Sequence, residues 1–453
     1  MPISTAFSQS ADEDSRGLTA DAVAERVLRS SPELETRRQR VAAAQAAVDQ
    51  ARAAFIPKIA VSALLGVASR VQSGDLGTLV VAPQSPPGPL APGALLVNQP
   101  IAFPLPPAHR YSVQASLTVP LSDYLLRTRP ALVSSEHSEA AVALDRKASE
   151  ISVGIGARVL YYHWVRAKLQ VDVAEQAVRQ SKDHLRDAKN AFEAGRASRA
   201  DVLSSESQLA RSELLRDRAL HLVSFNEEQL RIAMRDSDHE PYRVREKILA
   251  DPPPARDEAL ASLQNQALEA RLEPRSLERG AASLKEQAKV ADSGMLPRLD
   301  AVASILYANP NQNLLPLKDA FNTTWLLGLQ ASWEINGIVD ARAARRGFEA
   351  RAAEVEARRE AVRDAIRSEV ASAVQSIQDA RAAIQSTAQS LTASEEAYRV
   401  RRELYQNGRA SSLELSDAET DLTSARFTAI DAQIDTRIAR LSLAQAMGKS
   451  TPP

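Results

Sequence analysis

Glu414 and Asp417 lie three residues apart, so in a helix their carboxylates share one face. On a pore wall, a ring of such side chains from several copies of a chain selects cations and responds to screening or to a bound metal ion. Near the start of a helix, the same groups instead offset the positive end of the helix dipole. The residues alone leave both roles open. Other chemistry is scarce. The chain has no cysteine, which excludes disulfides, thiolate metal sites, cysteine nucleophiles and a cysteine-linked lipid. The histidines show no ligand spacing. His137, His163, His184 and His221 fall singly on helical segments, where a surface or locally satisfied position is the ordinary outcome. Gly154-Ile155-Gly156 lacks the rest of a nucleotide fingerprint. No nucleophile, base and orienting group occur as a set. No catalytic residue, cofactor site or metal site is expected, and the chain does not read as an enzyme.

The elements that position these carboxylates are written twice. With an offset of 408 − 195 = 213, Phe192-Glu-Ala-Gly-Arg-Ala-Ser falls on Tyr405-Gln-Asn-Gly-Arg-Ala-Ser. Without a gap, Glu206 falls on Glu419, Leu209 on Leu422, and Leu230 on Leu443. Upstream, Val171, Val178 and Leu185 fall on Ile384, Leu391 and Tyr398. A repeat this long implies a doubled structural unit. In each copy a glycine, Gly195 or Gly408, ends a long helix, a position that favours the left-handed conformation of a C-cap. Arg196 and Arg409 follow, placed to meet a partner or to satisfy helix-end carbonyls.

Composition points to long helices with narrow seams. Aromatic residues make up 4% of the 453, and the net charge is −1, so nothing draws the chain to nucleic acid. No run approaches 18 apolar residues, so no transmembrane helix is expected. Residues 1–16 read as a disordered leader, without a visible export signal.

The first copy spans 17–235. Ser31-Pro32-Glu33 marks a helix start. Val27, Leu34, Val41, Val48 and Phe55 recur every seven residues, a coiled-coil seam, and Pro57 stops it. The period then changes to two. Alternation places strands at about 58–71 and 110–119, with Pro83–Pro107 between them as loop. A long helix follows to about Glu193, then a second to about Met234. A polar linker covers 236–256. The second copy, 257–448, repeats the order: a broken helix to Leu296-Pro297, strands at about 298–307 and 324–335, a long helix to Gln406, and a last helix to about Met447. A tail closes the chain at 449–453. The long helices hold roughly 60–70 residues, or about 90–105 Å.

The strands constrain the assembly. Each has about ten residues, the length that crosses a bilayer when tilted. Trp325, Trp333 and Tyr111 lie towards the ends of apolar faces, where an aromatic girdle belongs. In lipid a sheet must close on itself, because open edges strand backbone groups, and four strands cannot close. A membrane sheet would therefore be shared between copies in a cyclic oligomer. Two hairpins packed into a small soluble sheet remain the alternative.

The order of elements, the Pro-terminated first helix and the Gly-centred breaks resemble the TolC-like outer-membrane factors. The segments that carry the likeness are Leu18-Thr-Ala-Asp-Ala-Val, Ala51-Arg-Ala-Ala-Phe-Ile-Pro, Trp333-Glu-Ile-Asn-Gly, and Tyr405 to Glu419. The resemblance covers Leu18 to Met447. It implies a mainly α fold with a β-barrel portion: a homotrimer whose shared twelve-stranded barrel in outer-membrane lipid continues as an α-helical periplasmic tunnel. It implies a passive exit duct of a tripartite efflux pump or a type I secretion system, in the outer membrane of a Gram-negative bacterium. A periplasmic adaptor would dock on hairpin tips at Gly195, Arg196, Gly408 and Arg409, with an inner-membrane pump or ABC transporter behind it. The family's gate carboxylates fall on Glu414, Asp417 and Asp201, and a gate-region tyrosine on Tyr405. The family's restraining arginine falls on Ala410, with Arg409 beside it. A soluble coiled-coil scaffold, or a helical protein that curves membranes, is the competing class; heptads alone would serve it.

Overall fold

The computed structural model describes residues 17–69, 77–82, 88–89, 92–100, 108–246, 248, 258–315 and 317–451. The expected leader at 1–16 lies outside them, as does most of the linker from 247 onwards. The first copy runs β1 (Gly17–Leu18), α1 (Ala20–Ser30), α2 (Pro32–Ala53), β2 (Lys58–Val67), β3 (Thr78–Val81), β4 (Val97–Pro100), β5 (His109–Pro120), α3 (Arg129–Glu193) and α4 (Arg199–Met234). After β6 (Arg243–Val244), the second copy runs α5 (Leu260–Ala270), α6 (Glu273–Asp292), β7 (Arg298–Asn309), β8 (Asn322–Ser332), α7 (Gly337–Gln406) and α8 (Ser412–Ala446). No described helix is long and apolar enough to cross a membrane.

The chain divides into two compact units. One comprises the described parts of Gln45–His137 and Ala282–Ala352. It holds an antiparallel sheet in the order β2-β5-β7-β8. The register sets Ile59 opposite Leu117 and Val61 opposite Ala115, Val113 opposite Tyr307 and Ala115 opposite Ile305, and Ile305 opposite Trp325 and Ala303 opposite Leu327. Opposed residues share a face, so one face is apolar over most of its rows, with His109, Asn309 and Thr323 at one end of it. The other carries Ser62 opposite Gln114, Ser116 opposite Ser304 and Asp300 opposite Gln330. The apolar face is bare: Leu65 is 78% exposed, Trp325 77% and Ile59 75%. Aromatic rings gather at both ends of the strands. Phe321 stacks on Tyr307 at 5.0 Å and tilts against Tyr111 at 6.0 Å. At the opposite end Phe55 stacks on Tyr124 at 5.9 Å, and the Trp333 indole donates to the Met295 carbonyl at 3.2 Å. Within the chain β2 and β8 are edges.

One expectation needs correction here. The segment between the first two long strands is not loop throughout. Thr78–Val81 and Val97–Pro100 pair antiparallel as a small hairpin. Four-residue strands flanked by prolines lie below what an alternation pattern resolves.

The other unit comprises the described parts of Met1–Ala44, Ser138–Ala281 and Ala353–Pro453. One core cluster surrounds Trp164 and Tyr161, with Val23, Leu230 and Ile434. The Tyr161 hydroxyl donates to the Leu18 carbonyl at 3.1 Å, beside the parallel bridge of β1 with β6. That bridge falls in a segment the sequence reads as linker, since two residues leave no pattern. A second cluster joins Ile366, Val370, Ala373 and Ile377 of α7 to Leu443 and Met447. Its 4-3-4 spacing is a heptad seam. In α4 the buried residues Ser205, Ser212, Ala219 and Asn226 also recur every seven, so that seam is built from small and polar side chains.

Candidate functional site at the hairpin tips

Both tips are made by the same local chemistry. Gly195 adopts φ +68° and Gly408 φ +71°, a conformation that costs an L side chain about 1–2 kcal/mol. The Gly195 amide donates to Phe192 O at 2.9 Å, and that of Arg196 to Ala191 O at 2.8 Å. In the second copy Gly408 donates to Tyr405 O at 3.0 Å and Arg409 to Leu404 O at 2.8 Å. These paired bonds form a Schellman motif, which satisfies carbonyls at the end of each long helix. Three residues later the next helix begins. Ser198 and Asp201 form a capping box, and so do Ser411 and Glu414. The four residues Gly-Arg-Ala-Ser thus end one helix and start another, twice.

These caps decide what the tip carboxylates do. Asp201 accepts from the Ser198 amide at 2.8 Å and its hydroxyl at 2.7 Å. Those bonds hold its carboxyl below the usual range. Glu414 accepts from the Ser411 amide at 2.8 Å, while its other oxygen meets Arg401 at 2.7 Å. Its carboxyl is lowered first by the Ser411 bonds and then by the Arg401 charge. Both carboxylates are therefore engaged within their own hairpins. Asp417 stands exposed one turn further along α8. The sequence signal for the caps was present, since Ser followed three residues later by Asp or Glu is the capping-box pattern.

Tyr405 turns inward. Its ring meets that of His184 edge-on, centroids 5.2 Å apart. Burial raises its phenol pKa, and the charges of Asp201 and Asp187 add to the shift. His184 is 3% exposed. Its Nδ1 lies 3.3 Å from Glu419 Oε2, and its Nε2 lies 3.0 Å from Ser412 Oγ. Ser412 Oγ is in turn 3.2 Å from Ser205 Oγ. Four helices converge here: α3, α4, α7 and α8. Sequence reasoning missed this cluster because the partners of His184 lie 235 and 228 residues away. The apolar repeat Val178, Leu185, Phe192 also points to a different face. In the structure Val178 is buried and Phe192 is 47% exposed, while Ser181, His184 and Ala188 fill the seam.

A family model described as outer membrane efflux protein matches residues 23–234 and 263–449. No curated protein matches the chain by sequence. Solved structures do match in fold. The outer-membrane channel OprN is 19% identical, with TM-score 0.76, covering 95% of this chain and 89% of that one. The outer membrane protein VceC from Vibrio cholerae is 16% identical, with TM-score 0.74, covering 95% and 96%. The Campylobacter jejuni outer membrane channel CmeC is 15% identical, with TM-score 0.76, covering 96% and 86%.

Proposed function

Because the chain belongs to the outer membrane efflux protein family, and so is an outer-membrane exit duct for efflux rather than an enzyme, we propose that it works as a homotrimer. Its twelve strands, four from each copy, would close one barrel in the outer membrane of a Gram-negative bacterium. The helices then extend that path into the periplasm. The observation that carries this reading is the open, four-stranded sheet with one bare apolar face. Edge strands β2 and β8 hold 10 and 11 residues. Left unpaired in hydrocarbon, their backbone groups cost several kcal/mol each, so sister subunits must pair with them. An inner face that sets Ser62, Gln114, Ser116, Ser304, Asp300 and Gln330 among a few leucines, with aromatic rings at both ends, fits the same arrangement. A soluble coiled-coil scaffold is not favoured, since it leaves that apolar face in water.

The tips form the inner end of the duct in this reading. Gly195, Arg196, Gly408 and Arg409 present the docking surface for a periplasmic adaptor, which an inner-membrane pump or ABC transporter drives. Asp417 lines the constriction, one turn along α8 from Glu414, and Asp201 and Tyr405 belong to the same gate region at the tips. Asp417 suits this role because it is exposed and its carboxylate is not consumed by a cap. Planar-bilayer conductance of the purified protein tests both levels. The wild type should insert from detergent as a trimer and conduct with a preference for cations. Glu414→Ala/Asp417→Ala should change conductance and weaken that preference. A detergent-independent, non-conducting monomer would end the duct reading, and unchanged cation preference in the double variant would end the gate assignment.

A further inference from the structure

The end of the sheet that meets the helices carries arginines of two kinds. Arg298 is held by Asp300 at 2.9 Å and Asp123 at 3.6 Å, and Arg345 by Glu349 at 2.9 Å and Asp292 at 3.1 Å. Arg52 meets Asp49 and Glu136. Among the described residues, Arg127, Arg129, Arg342 and Arg346 are exposed, and no ion pair or hydrogen bond engages them. The carboxylates nearest them in sequence without an ion pair are Glu334 and Asp340. Asp340 lies in the first turn of α7, where it offsets the helix dipole.

Two of the free arginines sit at matched places in the repeat. The offset 342 − 129 = 213 sets Arg129 on Arg342, and Leu126 on Val339. β5 ends at Pro120 and β8 at Ser332, so both pairs fall where a strand hands over to a long helix. Three residues separate each apolar residue from its arginine, which puts both on one helix face, the arginine a turn further from the sheet. Val339 and Leu125 are each 72% exposed. Trp333 and the Phe55–Tyr124 stack close the apolar sheet face at this same end.

We propose that each pair is a site for an anionic glycerophospholipid. The arginine takes the phosphodiester, and the acyl chains lie along the bare apolar face. The proposal rests on the reading that this face lies in the outer membrane. Moving off the sheet, the surface passes from apolar strands through aromatic rings to free cations. A lipid leaflet passes in the same order from acyl chain through its interface to phosphate. A guanidinium meets two phosphate oxygens with paired N–H donors, and it is weakly hydrated, so it gives up little water to do so. A carboxylate from a sister subunit is the competing partner. β8 is an edge strand, but β5 lies inside the sheet, between β2 and β7. A contact between copies would therefore account for Arg342 alone, whereas lipid reaches both.

Native mass spectrometry of the detergent-purified trimer tests this, with dioleoyl phosphatidylglycerol against the zwitterionic dioleoyl phosphatidylcholine. The wild type should hold two phosphatidylglycerol molecules per protomer more tightly than phosphatidylcholine. Arg129→Gln/Arg342→Gln should lower the phosphatidylglycerol affinity about fivefold, equivalent to the roughly 1 kcal/mol that one cation gains near an anionic lipid surface. Phosphatidylcholine binding should not change. Each single variant should lose one of the two tight lipids, and the single variants carry the test if the double variant does not assemble. Arg37→Gln/Arg40→Gln, on α2 well before Phe55, removes the same charge and should change nothing. Inorganic phosphate at millimolar concentration should not compete, because it has no acyl chains. A wild-type lipid preference in the double variant, or an equal loss in the α2 control, overturns the site. Competition by phosphate reduces it to a bare anion site and overturns the lipid. Weakened trimers with an unchanged lipid preference give the arginines to a contact between copies and overturn it too. Planar-bilayer conductance keeps the two readings apart: where the wild type conducts, a failure is that of the lipid site alone, and a wild type that neither inserts nor conducts removes the membrane reading and the site with it.

Discussion

The two hairpin tips share a backbone and differ in the seam beneath it. Each has the left-handed glycine, the Schellman bonds and the capping box. One turn inside, the copies part company. Glu206 is an exposed residue paired with Lys189 at 3.4 Å, whereas its counterpart Glu419 is buried against His184. His184 has Ala397 as its counterpart, Ser205 has Ala418, and Ser412 has Arg199. Phe192, 47% exposed, stands where the other copy has the inward-facing Tyr405. Of the polar residues in the His184 cluster, the duplication thus repeats Glu419 alone, and it repeats none of the partners that bury it. Turn chemistry sets where a hairpin reverses, and four tip residues suffice for it. What joins one hairpin to another is set by seam residues, which are free to differ once the unit is doubled.

The two tips should differ most at the two glutamates. His184→Ala should cost about 2–3 kcal/mol of local stability, because it leaves a buried carboxylate short of a partner. Lys189→Ala removes the corresponding partner of Glu206 in water and should cost less than about 1 kcal/mol. Hydrogen exchange of peptides covering 181–190, 199–210 and 412–422 reads both. Equal protection loss in the two variants would mean that Glu419 is no more dependent on its partner than Glu206.

The glycines should behave alike. A Cβ at Gly195 or Gly408 would meet nothing within 4 Å, so Gly195→Ala and Gly408→Ala should each cost about 1–2 kcal/mol through backbone strain alone. Exchange at the amides of Arg196 and Arg409 should quicken to the same extent. A clear inequality would show that the tips differ in packing as well as in seam. Ser198→Ala and Ser411→Ala come next, at about 1 kcal/mol each, the usual worth of a helix cap. Faster exchange at the amides of Asp201 and Glu414 reports that loss.

The doubled architecture was legible because the tip motif and the seam positions repeat at one offset. The fold class followed from the change of period near Pro57 and Pro297, since a sheet face and a helix seam leave different spacings. Element ends were less legible. Alternation carries the first strand to about 71, and β2 ends at Val67; the last strand reads to 335, and β8 ends at Ser332. Apolar alternation continues through Trp333 and Ile335 after the ladder has stopped, so the pattern overruns the hydrogen bonds. Of the His184 cluster, Tyr405 and Glu419 stood out in the sequence, but their meeting with His184 did not. A histidine, two serines and a glutamate on a helix look like surface, and only the third dimension brings them together. Apolar periodicity is blind to a seam whose members are polar.

The smallest difference between the tips concerns Arg401, whose counterpart is Ala188. Glu414 therefore has a cation that Asp201 lacks, although both are lowered by their cap serines. A carboxyl lowered in the folded state stabilises it fully above the unfolded value, 4.5 for Glu414 and 3.8 for Asp201. That contribution is lost as pH falls through the lowered folded value. Both tips should thus hold at neutral pH and fray only under acid, in a window below those two figures. Arg401→Ala should move the Glu414 titration up towards 4.5 and leave Asp201 where it is, as read by carboxyl NMR on selectively labelled protein. Because Glu414 keeps its Ser411 bonds, the shift should be partial. A complete return to the ordinary value would assign the whole depression to Arg401 and remove the cap from the account of that tip; no movement would make the two tips electrostatically identical and leave the seam as their one difference.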